Sequence, residues 1–334
     1  MMIELSTIWA GIIAFAVLTY VILDGFDLGI GILFPFARSD KDRDVMMNSV
    51  APVWDGNETW LVLGGGGLFA VFPLAYAVVM PAIYMPIIIM LLALVFRGVA
   101  FEYRWRTVRA RWVWDLAFHG GSTLAALCQG IALGALVQGI PIEDRAYAGG
   151  WWDWLTPFSL LTGVALVVGY ALLGATWLNM KTTGALQRQM HGFARPLMFA
   201  TLGLIGLVSL LTPLQDPVYL QRWFAWPGVI FSVAVPAIVL ALAWRLDRGL
   251  RSWQDVAPFL CAIGLFVVSF IGIGISFYPH MVPPGLTIAD AAAPDSSLAF
   301  ALVGAVILLP IILGYTAYAY WVFRGKVDPE EGYH

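Results

Sequence analysis

The sequence predicts an all-α polytopic membrane protein of about nine transmembrane helices, set out as two four-helix bundles plus one peripheral helix. Three observations predict it. The 334 residues are 60% hydrophobic and only 12% charged, against ~25% charged for a soluble domain. A mean hydropathy of +0.83 leaves no room for a large soluble domain. The apolar residues also fall into runs near the ~20 residues that cross a bilayer as a helix. The whole chain, 1–334, is read as a single integral membrane domain. Its halves are placed at 1–139 and 155–278, with an added helix at 299–323. That division follows from the number of spans alone, since no internal repeat shows in the letters.

The expected spans are 7–34, 53–72, 75–103, 113–139, 155–179, 197–213, 225–246, 256–278 and 299–323. The first has no basic leader and no small-residue cleavage site, and it carries Asp24 and Asp27, so it is a retained span rather than a signal peptide. The second is the least apolar, because Trp54-Asp55-Gly56-Asn57-Glu58 polarises its start. The sixth is short and must extend into its flanks. Sixteen of the 18 Lys and Arg lie in or beside alternate connections and the tail, and only Arg145 and Arg222 lie in the others. The positive-inside rule then puts the N-terminus outside and the C-terminus inside, and requires an odd number of spans. The second run must cross for this alternation to hold. The outer connection 140–154 carries Trp151, Trp152 and Trp154 with Glu143, Asp144 and Asp153, an interfacial aromatic cluster. The other long outer connection, 279–297, reads as irregular loop. Cys128 and Cys261 sit far apart in apolar runs and read as free buried thiols.

The ionisable residues inside these runs carry the functional signal. Asp24 and Asp27 lie deep in the first run, and Asp55 and Glu58 head the second. Each pair is spaced i,i+3, which puts its members on one helix face. A carboxylate at membrane depth costs roughly 2.5–3.5 kcal/mol on insertion scales, and such groups face bundle interiors or water-filled paths. Two pairs on consecutive spans, joined by the short charged connection 35–52, imply a wet, proton-accessible seam. Arg97, inside the third run, reads either as their countercharge or as an arginine snorkelling to the boundary. Trp54, Asn57 and Trp60 are supporting polar and aromatic groups. Gly25, Gly29 and Gly31, and the four glycines Gly64 to Gly67, allow close approach of a helix or a planar ligand. Glu102, Arg104 and Arg106 read as a solvated inner face. The four histidines, His119, His191, His280 and His334, offer no pair at ligand spacing, and no metal site is expected. Nothing points to nucleic acid. On the residues alone, a proton- or cation-coupled transporter and a purely structural membrane subunit both stay open.

The segments DGFDLGIGILFPF, NSVAPVWDGNETWL and FRGVAFEYR resemble subunit II of the cytochrome bd family of quinol oxidases, with a short length most similar to its cyanide-insensitive branch. The motif resemblance covers about Thr19 to Tyr103 and rests on span number beyond that. It implies a subunit of a bacterial respiratory terminal oxidase in the cytoplasmic membrane, oxidising quinol and reducing dioxygen to water. It implies that haems b and d are held by a partner, subunit I, and that this chain ligates no haem. A bound quinone, lipids and small single-helix accessory subunits belong to the same implication. The second carboxylate of DGFD and the Asp of WDGN are implicated in proton delivery in that family; they match Asp27 and Asp55. Arg97 matches its arginine, whereas Glu58 stands at a variable position.

Overall fold

The computed structural model describes residues 4–328; His334 lies outside them. Thirteen helices make up the described chain: α1 (Leu5–Leu33), α2 (Asp40–Asn48), α3 (Trp54–Val71), α4 (Pro73–Ala82), α5 (Tyr84–Arg106), α6 (Arg111–Gln138), α7 (Pro157–Lys181), α8 (Gly184–Leu211), α9 (Pro217–Phe224), α10 (Gly228–Arg251), α11 (Ala257–Phe277), α12 (Ile288–Ala291) and α13 (Asp295–Val322). Two small antiparallel hairpins complete it, β1–β2 (Ile142–Glu143, Ala146–Tyr147) and β3–β4 (His280–Val282, Leu286–Thr287).

Local chemistry sets the breaks. α1 ends in a tight turn at Phe34-Pro35-Phe36. The charged connection after it is not all loop: Ser39 caps α2, accepting from the Asp42 N–H at 3.1 Å, and Asp40 and Asp42 lie in the first turn, where they favour the helix dipole. The expected third span is two helices. Pro73 opens α4, and the chain breaks again at Ile83, just before α5 and Pro86. α7 begins with Pro157 behind a capping box of Thr156 and Ser159. The sixth span extends N-terminally to Gly184.

Among the described residues, eight helices are long and apolar enough to cross a membrane: α1, α5, α6, α7, α8, α10, α11 and α13. α3 falls short on composition because of Asp55, Asn57, Glu58 and its five glycines. It nevertheless runs antiparallel along α1. Asn57 meets Asp27, Gly64 meets Val17, Gly67 meets Ile13, and the Val71 carbonyl accepts from the Ala293 N–H at the far end. α3 is therefore a ninth transit, held by neighbours rather than by its own apolarity.

Packing follows chain order. α1 lies against α3 and α6, and α5 against α6; α7 pairs with α8 and α10 with α11, with α7 also against α11. α7 joins the two groups by packing on α1 and α6. α13 touches α1 and α3 and buries only Leu298 along its length. The α1–α7 seam is a backbone contact. A Cβ on Gly29 would stand 1.9 Å from the Tyr170 carbonyl oxygen, and one on Gly174 would stand 2.4 Å from the Gly29 carbonyl carbon. The glycines of α1 thus admit neighbouring helices, α7 at Gly25 and Gly29 and α6 at Gly31.

One end of the body carries both hairpins and α12; the opposite end carries α2 and the basic turns. Arg104 corrects the expected solvated face. It is fully buried, bonded to Asp115 of α6 at 2.5 Å and to Asp44 of α2 at 2.6 Å, and Arg111 also bonds Asp44. Its acidic partners come from two other helices, so spacing along α5 gives no sign of them. Gly29→Leu is expected to force α1 and α7 apart at a cost of about 1–3 kcal/mol, lowering the melting temperature of the purified protein in scanning fluorimetry. Gly11→Leu, with nothing within 4 Å of the added carbon, should leave it unchanged.

Candidate functional site: one buried arginine among three carboxyl groups

Four helices build the site. α1 supplies Asp24 and Asp27, α3 supplies Asn57 and Glu58, α5 supplies Arg97 and α13 supplies Tyr320. Asp24, Asp27 and Arg97 are fully buried. The Arg97 guanidinium bonds Glu58 Oε1 at 2.5 Å and lies 3.5 Å from Asp24 Oδ1 and 3.8 Å from Asp27 Oδ2. Arg97 is thus buried in the protein as the countercharge of these carboxyl groups. Trp54 stacks on Phe101 at 4.7 Å, and the guanidinium lies 5.8 Å and 5.3 Å from these two ring centres, so aromatic faces shield the cation where carboxylates do not.

Asn57 is the hinge between α1 and the outer helix. Its Nδ2 donates to Asp27 Oδ2 at 2.7 Å and to the Leu23 carbonyl at 3.4 Å, and its Oδ1 accepts from the Tyr320 hydroxyl at 2.9 Å. On the other side, Gln129 donates to the Tyr20 hydroxyl at 2.7 Å and accepts from the Tyr170 hydroxyl at 2.7 Å. Tyr20 lies one turn from Asp24, so this chain ends beside the cluster with the Tyr20 O–H still available to donate. Among the described residues, both oxygens of Asp24, Oδ1 of Asp27 and Nε and Nη2 of Arg97 have no hydrogen-bond partner within 3.5 Å. Buried polar atoms of this kind are satisfied by water or by a ligand.

The four expected carboxyl groups divide. Asp24, Asp27 and Glu58 come together on Arg97, whereas Asp55 and Gly56 are exposed on the surface of α3. Glu58 is the intermediate case, with a quarter of its side chain (24%) exposed. The line Asp55–Glu58–Arg97–Asp27 therefore leads from the protein's surface to its interior. Trp60 is buried at 1% exposure, its ring edge-on to Phe15 at 5.9 Å, and it packs beside Tyr20 rather than on the charges. Of the four consecutive glycines in α3, Gly64 and Gly67 close on α1 while Gly65 and Gly66 face open space. The local spacing rule finds neither Tyr320, 263 residues from Asn57, nor Gln129, 109 residues from Tyr20; a hydroxyl or amide inside an apolar run is the one signal that could have found them.

Fold and site together define a polytopic membrane subunit built round buried, arginine-paired carboxyl groups. The family described as cytochrome bd terminal oxidase subunit II matches residues 5–323. Cytochrome bd-I ubiquinol oxidase subunit 2 of Escherichia coli K12 is 32% identical over 98% of this chain and 96% of its own length. Cytochrome bd ubiquinol oxidase subunit 2 of Bacillus subtilis is 29% identical, over 99% of each. A chain of the bd oxidase from Geobacillus thermodenitrificans superposes with a TM-score of 0.73 at 19% identity, over 97% of this chain and all of that one. The chain belongs to the cytochrome bd terminal oxidase subunit II family.

Removing Arg97 leaves buried carboxyl groups without their cation, which costs about 3–5 kcal/mol when one partner of a buried pair is lost. Arg97→Ala is expected to lower the melting temperature sharply or to prevent recovery of folded protein. Asp55→Asn, on the surface, should change stability by less than ~0.5 kcal/mol.

Proposed function

We propose that this chain is the haem-free subunit of a bd-type quinol:oxygen oxidoreductase, and that its carboxyl groups carry protons toward the oxygen-reducing site of a haem-bearing subunit I. The observation that supports this is the charge balance of the buried cluster. One guanidinium faces three carboxyl groups, so a site kept neutral at low dielectric has room for two protons. Their unsatisfied oxygens lie where water could link them. Asp55, one turn from Glu58, extends the line to the surface, and Asp24 and Asp27 form its inner end.

The haems b and d of subunit I would supply the electron transfer and the reduction of dioxygen to water. The residues here would hold and pass the protons that this reduction consumes. Arg97 would keep the cluster from filling with protons permanently, and Asn57, Trp54 and Trp60 would hold its geometry. His119, the histidine inside α6, places Nδ1 3.0 Å from the Gly31 carbonyl. At that carbonyl α1 and α6 pack closely, since a Cβ on Gly31 would meet Ser122, so the Nδ1 face of His119 is taken up by the backbone of α1.

In this reading the protein lies in the bacterial cytoplasmic membrane with its N-terminus periplasmic and its C-terminus cytoplasmic, which puts the basic end at the cytoplasm, where protons enter. The exposed apolar faces of α8, α10 and α13 would meet lipid, quinone and single-helix accessory subunits.

Two experiments test this. Asp27→Asn and Asp55→Asn in the whole complex should leave the haem spectrum intact and slow both quinol oxidase turnover and proton uptake in flow-flash measurements. Wild-type rates in both variants would make these residues structural. A cytoplasm-active reporter fused after His334 should give signal; signal from a periplasm-only reporter would reverse the topology.

A further inference from the structure

We propose that Tyr320 is a positioning residue for Asp27, set in place by the peripheral helix α13 through Asn57. The proposal rests on the reading of Asp27 as a proton carrier and goes beyond it by naming what holds the carrier's donor in register.

α13 is an odd place for such a group. Its length is apolar and largely exposed, and Leu298 alone is buried. Packing therefore does little to fix it. It is tied instead at its ends. Trp9 Nε1 donates to the Leu298 carbonyl at 3.0 Å near the start. Past the other end, Lys181 Nζ donates to the Phe323 and Gly325 carbonyls, the Val327 N–H donates to the Lys181 carbonyl at 2.8 Å, and Lys326 pairs with Asp255 at 2.8 Å. Tyr320 stands three residues before Phe323, in the last turn that these bonds clamp. Its ring meets Phe26 and Trp177 edge-on at 6.4 Å and 6.3 Å. A phenylalanine would make the same ring contacts. The hydroxyl is what they leave unexplained, and it reaches the Asn57 amide at 2.9 Å.

The geometry gives that hydroxyl a task. An amide can turn over and present either oxygen or nitrogen to Asp27. Against an ionised carboxylate only the N–H side is favourable. Against a protonated carboxyl group either side can bond, so a carrier that gains and loses a proton would let its neighbour flip. The Leu23 carbonyl, which can only accept, takes the N–H side of the same amide at 3.4 Å; by donating to Asn57 Oδ1, Tyr320 adds the second bond that keeps the oxygen on its own side and the N–H on Asp27 through both states.

The test uses the assembled oxidase complex, with turnover counted per haem. Tyr320→Phe, Asn57→Ala, the double variant and Asp27→Asn are compared for haem spectrum, quinol KM, kcat and rate of proton uptake. Tyr320→Phe is expected to slow kcat and proton uptake together by roughly three- to tenfold, with spectrum and KM unchanged, and to have no further effect once Asn57 is alanine. Wild-type kcat in Tyr320→Phe beside a slow Asp27→Asn overturns this proposal and leaves the proton path standing. Wild-type kcat in Asp27→Asn overturns the proton path itself. Additive losses in the double variant also overturn the positioning role. If no Tyr320→Phe complex is recovered, Tyr320→His keeps a ring with an N–H donor: wild-type kcat there supports the proposal, and a kcat as low as that of Asn57→Ala overturns it.

Discussion

The guanidinium of Arg97 sits 2.5 Å from Glu58 and within 4 Å of Asp24 and Asp27, in a place where no protein surface reaches it. Charges taken from water lose several kcal/mol each, and they are retained only where opposite charge and hydrogen bonds replace the solvent. That single requirement links α1, α3 and α5 at one depth. It also accounts for α3. Five glycines and four polar residues make it a poor membrane span by composition, but Asn57 and Glu58 bond partners from α1, α5 and α13. The remaining length then needs only small residues to lie close to α1.

A second charged group shows what a structural version looks like. Arg104 bonds Asp44 and Asp115, and Arg111 and Arg43 stand on the same acids. With Asp40 on Arg43 at 2.8 Å, three cations meet three carboxyl groups there, and the group staples α2 to the ends of α5 and α6. The Arg97 cluster is unbalanced, with three carboxyl groups to one cation and, among the described residues, carboxyl oxygens that accept no hydrogen bond. The contrast between a matched staple and an unmatched cluster favours proton traffic over mere architecture at the second.

Much of this was legible in the letters. Apolar runs place most of the long helices within a few residues, the exceptions being the starts of α5 and α8, because the bilayer demands about 20 apolar residues whatever the fold. Asp24, Asp27, Glu58 and Arg97 stood out because ionisable groups at that depth are costly enough to need a reason. What spacing along one helix could not show was partnership between helices. Arg104 reads as solvated because Asp44 and Asp115 are distant in sequence, and the spacing pairs Asp55 with Glu58 although one turn separates surface from interior. Tyr320 is 263 residues from the amide it holds, and its hydroxyl in an apolar run is the one local mark it carries. The break at Phe72 falls between two expected spans, whereas the one at Ile83 leaves no mark, because the apolar run reads continuously from Pro73 through Pro86.

The central claim is that the cluster changes its protonation as the oxidase turns over. Redox-induced infrared difference spectroscopy on the assembled complex tests it most directly, because protonated carboxyl groups absorb apart from the amide bands. The account predicts a carboxyl difference band on haem reduction that is lost in Asp27→Asn and altered in Tyr320→Phe. A carboxyl difference spectrum identical in wild type and Asp27→Asn would contradict it.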